Sequence, residues 1–131
     1  MSTRIRFSES DVKAGYLVKQ PNWYRFKVSK HTEKPTKAGD SQNHWMIFEG
    51  LQTPNSSNEM MGVEVVQNFN DKVPRFSVPF FTACNEGLPL NPEKDYNFDD
   101  TVGITLEAYA QRGSYEGTPR NDLVDFRPVQ K

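Results

Sequence analysis

The sequence predicts a mainly-β domain of five strands, with one short helix between the third and the fourth. Three observations predict it. Several short runs alternate apolar and polar residues with a period of two, as half-buried strands require. Clusters of Pro, Gly, Asn, Asp and Ser separate those runs and supply turn chemistry. One apolar run breaks the alternation, opening on a proline and closing on a glycine as short helices do.

Residues 1–20 are polar and charged, and Ser8, Ser10 and Asp11 offer cap or turn chemistry, with Val12, Tyr16 and Leu17 available to pack down. Arg4, Arg6, Lys13 and Lys19 make this stretch a basic, peripheral arm. The first clear strand is Trp23 to Val28, where Tyr24, Phe26 and Val28 alternate with Trp23, Arg25 and Lys27. Arg25 and Lys27 must face water and carry Trp23 with them. Residues 29–43 are rich in Lys, Thr, Pro, Gly and Asp, and read as a loop carrying Lys30, His31, Lys34 and Lys37. A second strand follows from His44 to Glu49. Glu49 shares a face with Trp45 and Ile47, which points Met46 and Phe48 inward. Residues 52–59 form a polar turn, and the valine-rich run Gly62 to Phe69 is the third strand.

In the run from Ser77 to Gly87, Pro79 stands where a first helical turn tolerates it and Gly87 where helices end. An irregular acidic stretch occupies 88–101. Gly103 to Gln111 is the fourth strand, Arg112 to Pro119 a hairpin loop, and Asn121 to Val129 the fifth strand. Three strands, a helix and a closing hairpin is the element order of the OB-fold, a five-stranded Greek-key barrel. Barrels of that kind bind oligonucleotides on strands two and three and on the first and last hairpin loops. Here those loops are 29–43 and 112–119, and the first is the most basic in the chain.

At 131 residues the chain is expected to form a single domain able to bury a core without staples. Only 35% of residues are apolar, yet there are nine Phe, five Tyr and two Trp. So thin a core leaves aromatics for the surface, where they mark binding sites. The formal net charge is -1, but its distribution is lopsided. Residues 1–37 hold nine Lys/Arg against three Asp/Glu, and the remainder seven against fourteen. That asymmetry predicts a basic surface on one part of the fold. The alternative is an evenly mixed surface, with the two halves interleaved in space.

The single cysteine, Cys84, excludes an internal disulfide. No apolar leader and no membrane-length run is present, so the expected compartment is the cytoplasm. There the Asn55-Ser56-Ser57 sequon carries no sugar.

Catalytic and cofactor motifs fail on inspection, so no enzyme, metal or cofactor is expected. Asp95-Tyr96-Asn97-Phe98-Asp99 opens like a calcium loop, but Asp100 replaces the required Gly and Leu106 the bidentate Glu. It reads as a solvated acidic loop. His31 and His44 lack metal-site spacing. Cys84 lies on an apolar helix and reads as a small buried residue. Around Gly113 and Gly117, the serine position of a nucleophile elbow holds Tyr115.

What remains is basic residues interleaved with aromatics. Lys and Arg answer phosphates, and flat rings stack on unpaired bases for about 1–3 kcal/mol each. The candidate DNA-binding residues are Trp23, Arg25, Lys27, Lys30, Lys34, Lys37, Trp45, Tyr109, Arg112 and Tyr115.

Several stretches resemble the small OB-fold single-stranded DNA-binding proteins of tailed bacteriophages. They are Asn22 to Val28, Thr36-Lys37-Ala38-Gly39-Asp40, Asp99-Asp100-Thr101-Val102-Gly103, Tyr115-Glu116-Gly117, and Asn121 to Phe126. The resemblance implies no catalysis and sequence-tolerant protection of single-stranded DNA in phage replication or recombination, within the host cytoplasm. It also implies replication or recombination proteins as partners, and a second copy of the chain as a frequent one. RNA is the alternative nucleic acid. The chain departs from the family in lacking an acidic tail, since it ends Phe126-Arg127-Pro128-Val129-Gln130-Lys131. The competing expectation is a structural or protein-interaction β-domain of a virion or assembly complex.

Overall fold

The computed structural model describes residues 4–8, 12, 16–54 and 58–130. Five strands form one antiparallel sheet: β1 (Asn22–Pro35), β2 (Gln42–Gly50), β3 (Glu64–Asn70), β4 (Thr105–Tyr115) and β5 (Thr118–Arg127). Their order is β3-β2-β1-β4-β5. Strand β1 is central because residues 22–27 pair with β4 while residues 26–35 pair with β2. A 3-10 turn (Pro74–Ser77) leads into the one α-helix, α1 (Val78–Cys84), and a second 3-10 turn (Phe98–Thr101) precedes β4. The mainly-β class and the helix between the third and fourth strands stand as expected. The sheet is open, with β3 and β5 at its edges.

Alternation fixes the faces. Tyr24, Phe26 and Val28 of β1 are buried, as are Met46 and Phe48 of β2, while Trp23, Arg25, Trp45, Ile47 and Glu49 turn the other way. Helix α1 closes the inner face. Phe80 is its central ring, within 5.3 to 5.6 Å of Phe48, Phe69 and Phe126. Seven of the nine phenylalanines are buried here, leaving only Phe7 and Phe76 exposed. The expectation of surplus surface aromatics therefore fails for most of the Phe and for Tyr24, and holds for Trp45 and Tyr115. Rings bury much area at two side-chain torsions each, so an aromatic core compensates for a low apolar count.

The two expected loops are largely strand. Residues 29–35 continue β1, and the connection shrinks to 36–41, closed by Thr36 N donating to Ser41 O at 3.0 Å and by Gly39 at φ 72°. The reason is a bulge: the pairing register slips between Val28 and Lys30. Two residues then oppose one, and the inward parity shifts from even to odd positions. A strict period of two breaks there and imitates a loop. At the other end, Tyr115 pairs with Thr118, leaving Glu116 (φ 51°) and Gly117 (φ 80°) as a two-residue turn. Both central residues have positive φ, the type I′ geometry that fits hairpin twist. Pro119 is tolerated because β5 is an edge strand.

The helix stops at Cys84, before the expected Gly87: Asn85 caps it, Glu86 takes φ 59°, and Gly87, at φ 79°, donates its N–H to Thr82 O at 2.9 Å. Val18 is completely buried, held where Asn121 Oδ1 accepts from Val18 N (2.8 Å) and Asn121 Nδ2 donates to Tyr16 O (2.8 Å). Residues 16–18 thus belong to the fold, whereas Arg4 and Arg6 are exposed. Ser10, Asp11, Lys13 and the Asn55-Ser56-Ser57 sequon lie outside the described residues. Among the described residues no helix is long and apolar enough to cross a membrane.

Candidate nucleic-acid interface

The outer face of the sheet collects most of the candidate residues. Before the bulge, β1 turns Trp23, Arg25 and Lys27 outward; after it, Lys30 pairs with Ile47, Thr32 with Trp45 and Lys34 with Asn43. The slip keeps Lys27, Lys30 and Lys34 on one side of the sheet, where all three are exposed. Lys30 and Lys34 flank the position opposite Trp45, which is 38% exposed. Lys37 is exposed in the 36–41 turn. Among the described residues none of these four lysines has an acidic partner. Acid gathers at one end of the face, where the strand register sets Glu49 opposite Lys27, without an ion pair, and Glu64 opposite Glu49. Beyond Trp45, Val66 of β3 and Arg120 of β5 line a groove of about 300 Å³ together with Tyr16 and Asn121.

Trp23 sits in a second, tighter cluster. Tyr109 meets it edge-on with centroids 5.6 Å apart, and the Arg127 guanidinium lies 4.2 Å from its ring centroid. Arg127 Nε donates to Glu107 Oε1 at 2.9 Å, and Arg25 reaches Glu107 Oε2 at 3.5 Å. Glu107 is only 4% exposed. Its carboxylate lies between two guanidiniums, which compensates its removal from water. The Arg25 Nε is buried without a partner among the described residues. One face of Trp23 is therefore occupied by Arg127, and the cluster as a whole carries one positive charge in excess. Sequence reading missed both Arg127 and Glu107.

The hairpin candidates do not converge. Tyr109 belongs with Trp23, while Arg112 Nε donates to Val18 O at 2.7 Å and so pins the segment before β1. Tyr115 is 61% exposed at the hairpin tip, with the Arg120 guanidinium 5.3 Å from its ring centroid. Arg120, three residues past Gly117, is a further residue that sequence reading missed.

Burial pushes the Cys84 thiol up to about 12, far from thiolate at neutral pH. No group of three or more His, Cys, Asp or Glu suited to a metal occurs among the described residues. Two expectations need correcting. The acidic stretch is only partly solvated, because Phe98 and Thr101 are buried and stitch it to the core. His31 and His44 are not isolated: their rings stack with centroids 5.1 Å apart. The cross-strand pairing of β1 with β2 makes that contact, which no linear spacing reveals. No known family's sequence pattern and no curated protein matches the chain.

Proposed function

We propose that this chain is a non-catalytic, sequence-tolerant binder of single-stranded DNA, using the outer face of β1 and β2. One observation carries the proposal: the bulge after Val28 keeps Lys27, Lys30 and Lys34 on the same exposed face as Trp45. Phosphates would meet the lysines and unstacked bases the indole, with the Trp45–Arg120 groove receiving a neighbouring nucleotide. Strand topology supports the reading of the sheet as an OB barrel closed by side chains. Strand β1 pairs on both sides, a helix follows β3, and Leu123 N donates to Gln67 Oε1 (3.5 Å) across the gap between the edge strands. On this reading the chain belongs with the phage replication and recombination proteins it resembles.

The test is tryptophan fluorescence during titration with oligo-dT, with duplex DNA as control. Quenching by the single strand alone is expected. With about four phosphates neutralised, a fourfold rise in salt weakens binding about 50-fold. Trp45→Ala should cost about 1–3 kcal/mol of binding while leaving the fold intact. Binding unchanged in that variant would remove the platform.

A second reading is favoured by Val66, half exposed beside Ile47 on the same face. That apolar strip suits a protein interface of an assembly component. It predicts a tight oligomer by size exclusion, indifferent to DNA.

A further inference from the structure

Pairing of β1 with β2 sets Glu33 opposite His44 and His31 opposite Met46, so the two histidines are diagonal neighbours on the inner face. Four side chains then fall into line. Asp99 Oδ1 lies 2.5 Å from His31 Nδ1, His31 Nε2 lies 2.9 Å from His44 Nδ1, and His44 Nε2 lies 3.3 Å from Asp71 Oδ2. The histidine side chains are 4% and 11% exposed. Phe98 covers both rings, its centroid 5.5 Å from His31 and 4.4 Å from His44.

Counting protons decides the charge. Ionised carboxylates only accept hydrogen bonds. Asp71 is held below the usual carboxylate range, first by the Gln42 N–H that donates to it at 2.9 Å and then, against the cost of burial, by His44. An ionised carboxylate repels a bare nitrogen more than a second neutral nitrogen does, so His31 Nδ1 and His44 Nε2 take protons first and donate outward. Two neutral rings have no further proton, which leaves two lone pairs opposed across the central 2.9 Å gap. A third proton turns that opposition into an N–H···N bond. A fourth sets two N–H groups against each other. Only the three-proton state makes every bond in the line.

That state carries one positive charge, and its surroundings suit it. Glu33 of β1 places Oε2 3.9 Å from His44 Nδ1; Asp99 comes from the 3-10 turn, and Asp71 from the segment after β3. The remaining cover is the uncharged Phe98 ring, whose face attracts a cation. Lys30 and Lys34 lie on the opposite side of β1.

We infer that His31 and His44 share one extra proton and act as a clasp, fastening the far end of the β1–β2 hairpin to the Phe98–Thr101 turn and the segment after β3. The clasp is closed with three protons and opens with either two or four. It makes the order of this strand end a function of pH in both directions. The inference is independent of any role in DNA binding, although Lys30 and Lys34 ride on the same stretch of β1.

Nitrogen NMR on the full, labelled chain tests it. At an intermediate pH three of the four ring nitrogens should be protonated, with a scalar coupling across His31 Nε2 and His44 Nδ1. Toward acid and toward alkali the coupling should vanish. Amide exchange at residues 31–34 and 42–46, corrected for its intrinsic pH dependence, should rise about tenfold on either side, the value of one charge-assisted hydrogen bond. Two bare and two protonated nitrogens without coupling throughout, or a monotonic exchange profile, would overturn the clasp. Should His31→Gln fail to fold, Asp99→Asn keeps an acceptor of the same shape but removes balancing charge. Its exchange minimum should flatten, and a profile that keeps the minimum overturns the inference.

Discussion

Glu107 is the residue on which stability and the proposed binding pull in opposite directions. It is a buried carboxylate shared by Arg25 and Arg127, and Arg127 in turn covers Trp23. Replacing Glu107 with Gln leaves the shape but unbalances two guanidiniums. Both are partly exposed, so the loss falls below that for a fully buried pair, at about 1–2 kcal/mol. The same change frees a cation on the outer face. If the face binds single strands, Glu107→Gln should bind oligo-dT more tightly and steepen the salt dependence by about 0.7 in log-log slope. Urea unfolding and a salt titration measure the two effects separately, and tighter binding is the outcome that the protein-interface reading does not allow. Arg25 was legible as an outward charge because it alternates with Tyr24 and Phe26. Its pairing with Glu107, 82 positions away, was not legible, because only the register between β1 and β4 creates it.

At the scale of elements, the strands were legible wherever alternation ran unbroken and illegible wherever a local device altered its phase. The bulge after Val28 disguised half of β1 as a basic loop. Gly113 and Pro119 disguised the end of the last hairpin, although each has a strand-compatible reason. A side chain at Gly113 would collide with Asp122 of the paired strand, and Pro119 occupies an edge. The turn itself stores a small strain. Glu116 takes φ 51°, a region that costs an ordinary residue about 1–2 kcal/mol and Asn much less. Glu116→Asn creates Asn-Gly, the pair type I′ turns favour. It should stabilise the protein by about 0.5–1 kcal/mol and raise the thermal midpoint by a few degrees. A midpoint that stays or falls would mean that the carboxylate makes up the difference by some other contact.

The whole molecule is stapled at two places by carboxylates, and this sets its pH limits. Asp40 is held low by the Lys72 ammonium and Asp71 by the Gln42 amide. Burial pushes Glu59 up, but the Lys19 amide and the Tyr24 hydroxyl outweigh it and leave it below the ordinary range. Because these folded values are depressed, their stabilisation is present above the unfolded carboxylate range and is lost as pH falls through the folded values. The alkaline side rests on Tyr24. Burial first, and then its hydrogen bond to Glu59, raise its phenol to about 12. The neutral phenol is the form the fold requires: its O–H donates to Gln20 O at 2.8 Å and Glu59 Oε2 at 3.1 Å. Its contribution is complete below the ordinary value of about 10 and is lost as pH rises from there towards about 12. Tyr24→Phe removes the ionising group but leaves two acceptors short of a donor. It should cost about 1–2 kcal/mol at neutral pH and flatten the alkaline limb. Unfolding midpoints between pH 7 and 12 compare the two proteins. Parallel limbs would place alkaline lability in some other group, whereas curves that converge as pH rises would assign it to the phenol at the base of β1.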